Sequence, residues 1–196
     1  FWLVLRRQRD GGTRWAETAQ ALGLGLDAAS RIELSSALDG ATTARPMRGT
    51  WGGRDAAVWV SRERYSSRTT GWKRYVFHTC CSVGIRGPRG PAFSIVPRKA
   101  LDGVLGGAGF PTGLASFDDR FRVAGPSPAE VLAMLSARAP DGVSLAERFV
   151  RLSARGWSLA ADQDAVVARR RGVTVDVSAI RTALGVLSDL ASGMER

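Results

Sequence analysis

The sequence predicts an α+β domain with a mainly antiparallel sheet and helices packed on one face. Residues 47–96 alternate apolar and polar side chains between turn residues, a pattern that is typical of antiparallel strands. Two later segments, beginning at Ser127 and Ser144, carry helix start signals. With 196 residues and 44% hydrophobic content, the chain is long enough to form one core without disulfides or metals. We therefore expect one soluble α+β domain over residues 13–196.

The first expected element is a helix that Thr13 caps and that runs to about Leu22. Trp15, Ala19 and Leu22 lie on one face at helical spacing, and Gly23 suits the end of the helix. This spacing predicts that the three side chains pack into the core.

Strands are predicted in the middle of the chain. Residues 47–51 and 55–60 flank Gly52-Gly53, which predicts a tight hairpin. Residues 62–71 are polar and are interpreted as a loop. A long strand follows over 73–85, with a core face and a wetter face, and Phe93 to Val96 form another strand.

The C-terminal part is predicted to mix strands and helices. A strand is expected where Phe117, Asp119, Phe121 and Val123 alternate. The other expected elements are two helices with capping boxes at 127–130 and 144–147, a hairpin of residues 157–160 and 165–169, and a helix from about 178.

The start of the chain has the pattern of a membrane exit. Five apolar residues, 1–5, precede Arg6, Arg7 and Arg9, and cationic residues beside an apolar span mark the cytoplasmic side of a membrane helix. We expect residues 1–12 to be the end of a transmembrane helix and a basic juxtamembrane segment. The alternative is an amphipathic start or a strand that packs on the domain.

The net charge of +10 is concentrated in the middle of the sequence. Residues 45–100 contain twelve lysines and arginines but only Asp55 and Glu63 as acids, and a concentrated basic surface attracts anionic lipid, nucleic acid or an acidic partner. The alternative is that the excess is compositional, since arginine greatly outnumbers lysine. The candidate anion- or partner-binding residues are Arg6, Arg7, Arg9, Arg62, Arg64, Arg68, Lys73 and Arg74.

No catalytic, metal or cofactor site is predicted. The single histidine, His78, shares a strand face with Cys80, but a Cys–His pair also needs an orienting group and a pocket. Zinc requires about four ligands, and the neighbouring Cys81 does not complete a set. The glycine-rich residues 106–113 lack the Gly-Lys-Ser/Thr end of a phosphate loop, and Asp118 and Asp119 would point to opposite faces of a strand.

Nucleic-acid binding is the main alternative function. The basic segment also contains aromatic residues, and Tyr65 and Trp72 could stack on unpaired bases. No recognised nucleic-acid-binding motif accompanies them. Trp59 lies in an apolar strand and is expected in the core.

Two short motifs carry a family resemblance. Gly49-Thr50-Trp51-Gly52-Gly53-Arg54 and Phe117-Asp118-Asp119-Arg120-Phe121-Arg122-Val123 occur in the same order relative to the helices and the late hairpin. In these features the chain resembles, from Arg45 onward, a family of bacterial membrane-anchored domains of unknown function. The resemblance implies a tethered domain with no established activity or cofactor. We accordingly expect a non-enzymatic binding or scaffolding domain on the cytoplasmic face of the bacterial inner membrane.

Overall fold

The computed structural model describes residues 13–28, 32–34, 42–66, 73–87, 92–97, 109–138, 141–161 and 164–195. A helix, α1, covers residues 13–22 and buries Trp15, Ala19 and Leu22, as its helical spacing predicts. Gly23 follows it at φ +69°, a left-handed conformation that favours glycine and ends the helix.

The remaining elements alternate between strands and helices. The strands are β1 (Gly25–Leu26), β2 (Ile32–Leu34), β3 (Thr42–Ala44), β4 (Met47–Trp51), β5 (Arg54–Ser66), β6 (Lys73–Gly84), β7 (Phe93–Pro97), β8 (Phe121–Ala124), β9 (Trp157–Ala161) and β10 (Ala165–Arg171). The helices are α2 (Ala115–Asp118), α3 (Pro128–Ser136), α4 (Leu145–Ser153) and α5 (Val177–Met194).

Eight of these strands form one antiparallel sheet in the order β1-β4-β5-β6-β10-β9-β7-β8, and β2 and β3 form a separate pair. The predicted hairpins β4–β5 and β9–β10 are both present. The first turns at Gly52 (φ +57°) and Gly53 (φ +77°), and two left-handed residues give the turn that matches the twist of the flanking strands. The predicted α+β fold with a mainly antiparallel sheet is confirmed.

One row of apolar residues crosses the sheet and defines its core face. None of its members is more than 2% exposed: Met47, Val58, Cys81, Ala168, Leu159, Ile95 and Val123. Helix α5 contributes Ile180, Leu184 and Leu187 to the same core, as its spacing predicts. The neighbouring row on the opposite face is partly or fully exposed: Ala57, Ser82, Val167, Ala160, Ser94 and Ala124. This second face is called the open face below.

The prediction of a loop over residues 62–71 was wrong in its first half. Strand β5 continues to Ser66, and Arg62 pairs with Phe77 while Ser66 pairs with Lys73. Backbone hydrogen bonds to β6 stabilise this part of the strand although its side chains are polar. The strand therefore extends beyond the residues whose apolar alternation predicts it. Residues 67–72 lie outside the described residues.

The prediction of a strand beginning at Phe117 was also wrong. Ala115–Asp118 is a helical turn, and β8 begins only at Phe121. The Asp118 carboxylate accepts hydrogen bonds from the backbone N–H groups of Thr112 at 2.8 Å and Gly113 at 2.9 Å. These local bonds favour a turn over an extended strand. Asp118 and Asp119 therefore lie at the end of α2.

One of the two predicted capping boxes is present. Ser144 accepts from the Glu147 N–H at 3.2 Å, and Glu147 accepts in turn from the Ser144 N–H at 3.1 Å. Ser127 occupies the cap position of α3, but its side chain makes no cap hydrogen bond. At ψ 80° the Ser127 backbone is not in the extended conformation that Ser144 adopts at ψ 153°. Helix α3 begins instead with Pro128, whose missing N–H needs no partner there.

The predicted membrane exit, residues 1–12, lies outside the described residues. Among the helices that the structure describes, none combines the length and the apolar character needed to cross a membrane.

Candidate anion-binding surface

The hairpin of β5 and β6 extends beyond its neighbours in the sheet. Residues 62–66 of β5 pair with residues 73–77 of β6. Strand β4 pairs with β5 only over residues 54–58, and β10 pairs with β6 only over residues 78–84. This two-stranded extension, residues 62–66 with 73–77, is called the basic arm. Among the described residues, no further strand of the main sheet pairs with the arm, and its residues 62–64 are exposed.

Two candidate arginines, Arg62 and Arg64, lie on the basic arm and are exposed. The Arg62 guanidinium lies 4.6 Å from the centre of the Tyr75 ring, and Tyr75 is itself 44% exposed. A guanidinium over an aromatic face is held by a cation–π attraction that leaves its charge uncompensated. Within the described residues, neither arginine has an ion-pair partner.

Several arginines elsewhere in the described chain are paired with carboxylates. Arg48 binds Asp27 at 3.0 Å, and Arg54 binds Glu195. Arg148 binds both Asp141, at 2.7 Å, and Asp189, at 2.5 Å. What distinguishes the arm is that two exposed arginines without an ion-pair partner among the described residues, Arg62 and Arg64, lie two residues apart on one strand.

Of the other candidate residues, the structure describes the backbone positions of only two. The backbones of Lys73 and Arg74 lie on the arm, where they pair with Ser66 and Tyr65. The structure thus brings Arg62, Arg64, Lys73 and Arg74 onto one extension of the sheet. Arg6, Arg7, Arg9 and Arg68 lie outside the described residues.

Three arginines at the base of the arm were not among the predicted binding residues: Arg169, Arg170 and Arg171. They end β10, and its pairing with β6 sets Arg171 opposite His78 and Arg169 opposite Cys80. A run of three arginines at the end of a predicted strand was the available signal. Which strand it would pair with could not be predicted from local pattern.

His78 is half-buried on the open face and lies against Arg169. The Arg169 Nη2 group is 2.8 Å from His78 Nδ1 and 2.6 Å from Glu63 Oε2. Because a guanidinium only donates hydrogen bonds, Nδ1 accepts and the imidazole is neutral. Burial lowers the pKa of His78, and the charges of Arg169 and Arg171 lower it further, while Glu63 acts in the opposite direction.

The lowered pKa of His78 predicts a pH dependence of stability. The unfolded chain binds the His78 proton more tightly than the folded chain does. The contribution of His78 to the free energy of unfolding is therefore complete above about pH 6.5, and it decreases as the pH falls from there through the folded pKa. Denaturant unfolding at pH 7.5, 6.5 and 5.5 measures this decline. His78→Gln keeps an acceptor for Arg169 and should flatten the curve in this window. An unchanged slope in His78→Gln would contradict the assignment.

The two cysteines, Cys80 and Cys81, are free and both are buried. The Cys80 Sγ atom lies 3.4 Å from the Ser61 hydroxyl and 4.0 Å from the His78 carbonyl oxygen. Burial raises the pKa of both thiols, which keeps them in the unreactive protonated form. Across the described residues, no three His, Cys, Asp or Glu side chains are grouped so that they could hold a metal ion.

We therefore expect both thiols to be inert in the native protein. A maleimide reagent at pH 7 should label Cys80 and Cys81 much more slowly than in denaturant, because burial limits access and disfavours the thiolate. Mass spectrometry of timed samples measures both rates. Selective fast labelling of Cys80 would instead support a catalytic thiol beside His78.

Trp59 does not lie in the core, contrary to prediction. It pairs with Cys80 on the open face and is half-buried. Strand alternation explains the error, because Val58 and Val60 on either side of it point into the core.

The chain was compared with known proteins. No family model and no curated protein matches it. A solved structure, the crystal structure of the mycobacterial trehalose monomycolate transport factor A, TtfA, is similar in fold with a TM-score of 0.50. The match covers 91% of this chain and 94% of that chain at 9% sequence identity. At this identity the likeness concerns the fold alone.

Proposed function

We propose that this chain is a membrane-tethered binding domain without catalytic chemistry, and that its basic arm docks on an anionic lipid surface. The observation that carries the proposal is that, among the described residues, Arg62 and Arg64 have no ion-pair partner and their arm pairs with no further strand of the main sheet. Arginines that are paired with carboxylates, such as Arg48, Arg54 and Arg148, contribute less to such attraction.

The arm combines charge with an interfacial aromatic residue. Each lysine or arginine near an anionic bilayer contributes about 1 kcal/mol, so Arg62 and Arg64 together contribute about 2 kcal/mol. Exposed Tyr75 adds a ring with an apolar body and a polar hydroxyl, which suits the headgroup region. Lys73 and Arg74 have their backbones on the same arm and increase the local positive charge.

A membrane tether would make this modest attraction sufficient to hold the basic arm on the lipid surface. If residues 1–12 end a membrane helix, Arg6, Arg7 and Arg9 lie beside the surface, and the domain is held at high effective concentration. The arm then sets the orientation of the domain on the cytoplasmic leaflet. We propose a scaffolding role of this kind for the tethered protein.

Co-sedimentation of the full chain with vesicles tests the proposal. Neutral phosphatidylcholine vesicles are compared with vesicles containing phosphatidylglycerol, at rising salt and with a single-stranded oligonucleotide as competitor. We expect binding only to anionic vesicles, a loss of binding with salt because exposed charges are screened, and no displacement by the oligonucleotide. The Arg62→Gln/Arg64→Gln variant separates the arm from the apolar N-terminal residues, since it should lose the salt-sensitive part.

Each other outcome rejects the lipid proposal in a different way. Saturable oligonucleotide binding that displaces vesicles would favour the nucleic-acid alternative, with a steep salt dependence as its signature. Binding to neither ligand would indicate an acidic protein partner. Vesicle binding that the arm variant leaves unchanged would assign the interaction to the N-terminal segment alone.

A further inference from the structure

Three nitrogen-bearing side chains converge on the open face where the basic arm begins. His78 of β6 lies directly opposite Arg171 of β10, and Arg169 lies two residues before Arg171 on the same face. Arg171 is exposed, and its charge acts on His78. The carboxylate that meets this group is Glu63 of β5, through its contact with Arg169.

The hydrogen bonding of Arg169 is incomplete. Its Nη2 group donates to both Glu63 Oε2, at 2.6 Å, and His78 Nδ1, at 2.8 Å. Its Nε–H is buried and has no hydrogen-bond partner among the described residues. A guanidinium forms its strongest pairs when two N–H groups bind one oxyanion in parallel. Glu63 engages Arg169 through one oxygen and is 58% exposed, so it is free to move aside.

We propose that His78, Arg169 and Arg171 form a binding site for a phosphate monoester, and that Glu63 occupies Arg169 until the ligand displaces it. The inference deepens the proposed function, on which it rests, because a phosphomonoester headgroup of the lipid surface is one source of the ligand. A soluble phosphomonoester is the other source, and it offers the same chemistry.

Charge explains why a monoester fits better than a diester. Arg169 and Arg171 carry two positive charges against one negative charge on Glu63, while His78 is neutral. A monoester brings about 1.5–2 negative charges and three terminal oxygens at neutral pH, enough to engage both arginines and one further donor. That donor is His78, which gains a proton when the anion offsets the arginines. A diester brings one negative charge and leaves His78 neutral.

Binding should therefore be coupled to the protonation of His78. The charged groups that act on its ring are Glu63 from β5 and Arg169 and Arg171 from β10. Ser61 pairs with His78 on β5, but its hydroxyl lies against Cys80 Sγ at 3.4 Å. Linkage is reciprocal, so a ligand that favours protonated His78 binds more tightly when His78 is protonated. We expect about a tenfold gain, which corresponds to a rise of about one unit in the pKa of His78.

Because the chain contains a single histidine, the coupling between ligand binding and the protonation of His78 can be measured on the full chain. The imidazole carbon-bound protons of His78 are followed by NMR from pH 5 to 8 at constant ionic strength, with glycerol 3-phosphate, with dimethyl phosphate or with chloride. Glycerol 3-phosphate should raise the pKa of His78 by about one unit, and the other two anions should not. Equal responses to the monoester and the diester would overturn the proposal.

Variants test the roles of the individual residues. Arg171→Gln should weaken glycerol 3-phosphate binding at least tenfold, whereas Glu63→Gln should strengthen it by removing the competing carboxylate. Arg120→Gln, an exposed arginine before β8, is the matched control and should bind like the wild type. Undiminished binding in Arg171→Gln, with the fold intact by circular dichroism, would refute the site. Weaker binding in Glu63→Gln would refute the displacement.

Vesicles identify the source of the monoester. Phosphatidic acid is compared with phosphatidylglycerol at matched surface charge. A preference for phosphatidic acid that Arg171→Gln abolishes assigns the site to a lipid headgroup, and glycerol 3-phosphate binding without that preference assigns it to a soluble ligand. Loss of vesicle binding with an intact glycerol 3-phosphate response would overturn the proposed function alone. Vesicle binding without any response to the monoester would overturn this site alone.

Discussion

Phe149→Ala is expected to lower the free energy of unfolding by about 3–5 kcal/mol. Phe149 of α4 is 0% exposed and packs against two other rings. Its centroid lies 4.9 Å from that of Phe121, edge to face, and 5.9 Å from that of Phe117. Truncation removes the buried ring and leaves a cavity between α2, α4 and β8, which the surrounding rings cannot fill without rearrangement.

Urea unfolding followed by tryptophan fluorescence measures the loss. Val150→Ala is the matched control, because Val150 is the next residue on α4 and is only partly buried against the core. It should cost less than about 1.5 kcal/mol, since truncation of a half-buried side chain removes little apolar contact. A cost for Phe149→Ala no greater than that of the control would contradict the packing described for this cluster.

Local sequence patterns predicted those elements whose side chains alternate or repeat clearly. The β4–β5 hairpin follows from Gly52-Gly53 between apolar strands, and α5 follows from the helical spacing of Ile180, Leu184 and Leu187. The turn at Phe117 was missed because its alternation also suits a strand. The Asp118 side chain decides against the strand by bonding to the backbone at Thr112.

The candidate surface was predicted less completely than the fold. Arg62 and Arg64 were identified from charge density, but their position on a strand depends on pairing with residues 73–77, which polarity does not reveal. Arg169 and Arg171 approach His78 only because β10 pairs with β6, across about ninety residues of sequence. Contacts between residues so far apart in sequence leave no local periodicity. The sequence therefore indicated where positive charge is dense, but not which of these side chains lie together in the fold.

Charge reversal on the basic arm is expected to have the largest effect on function. Arg62→Glu with Arg64→Glu removes two attractive charges and adds two repulsive ones at a surface where each charge contributes about 1 kcal/mol. Partial compensation by other cations brings the expected loss to about 2–4 kcal/mol, a weakening of about 30- to 1000-fold in binding to phosphatidylglycerol vesicles. Both residues are exposed and have no described ion partner, so the variant should remain folded.

The comparison that decides this prediction uses a second pair of exposed arginines. Arg120 lies before β8 at the far edge of the sheet, and Arg151 lies on α4 beside α2. Strand β8 is four strands from β6, about 19 Å at ordinary strand spacing, which exceeds the screening length at physiological salt. Arg120→Glu with Arg151→Glu makes the same change in net charge away from the arm. Equal weakening by the two double variants would show that net charge governs binding, whereas a selective loss in the arm variant locates the contact at Arg62 and Arg64.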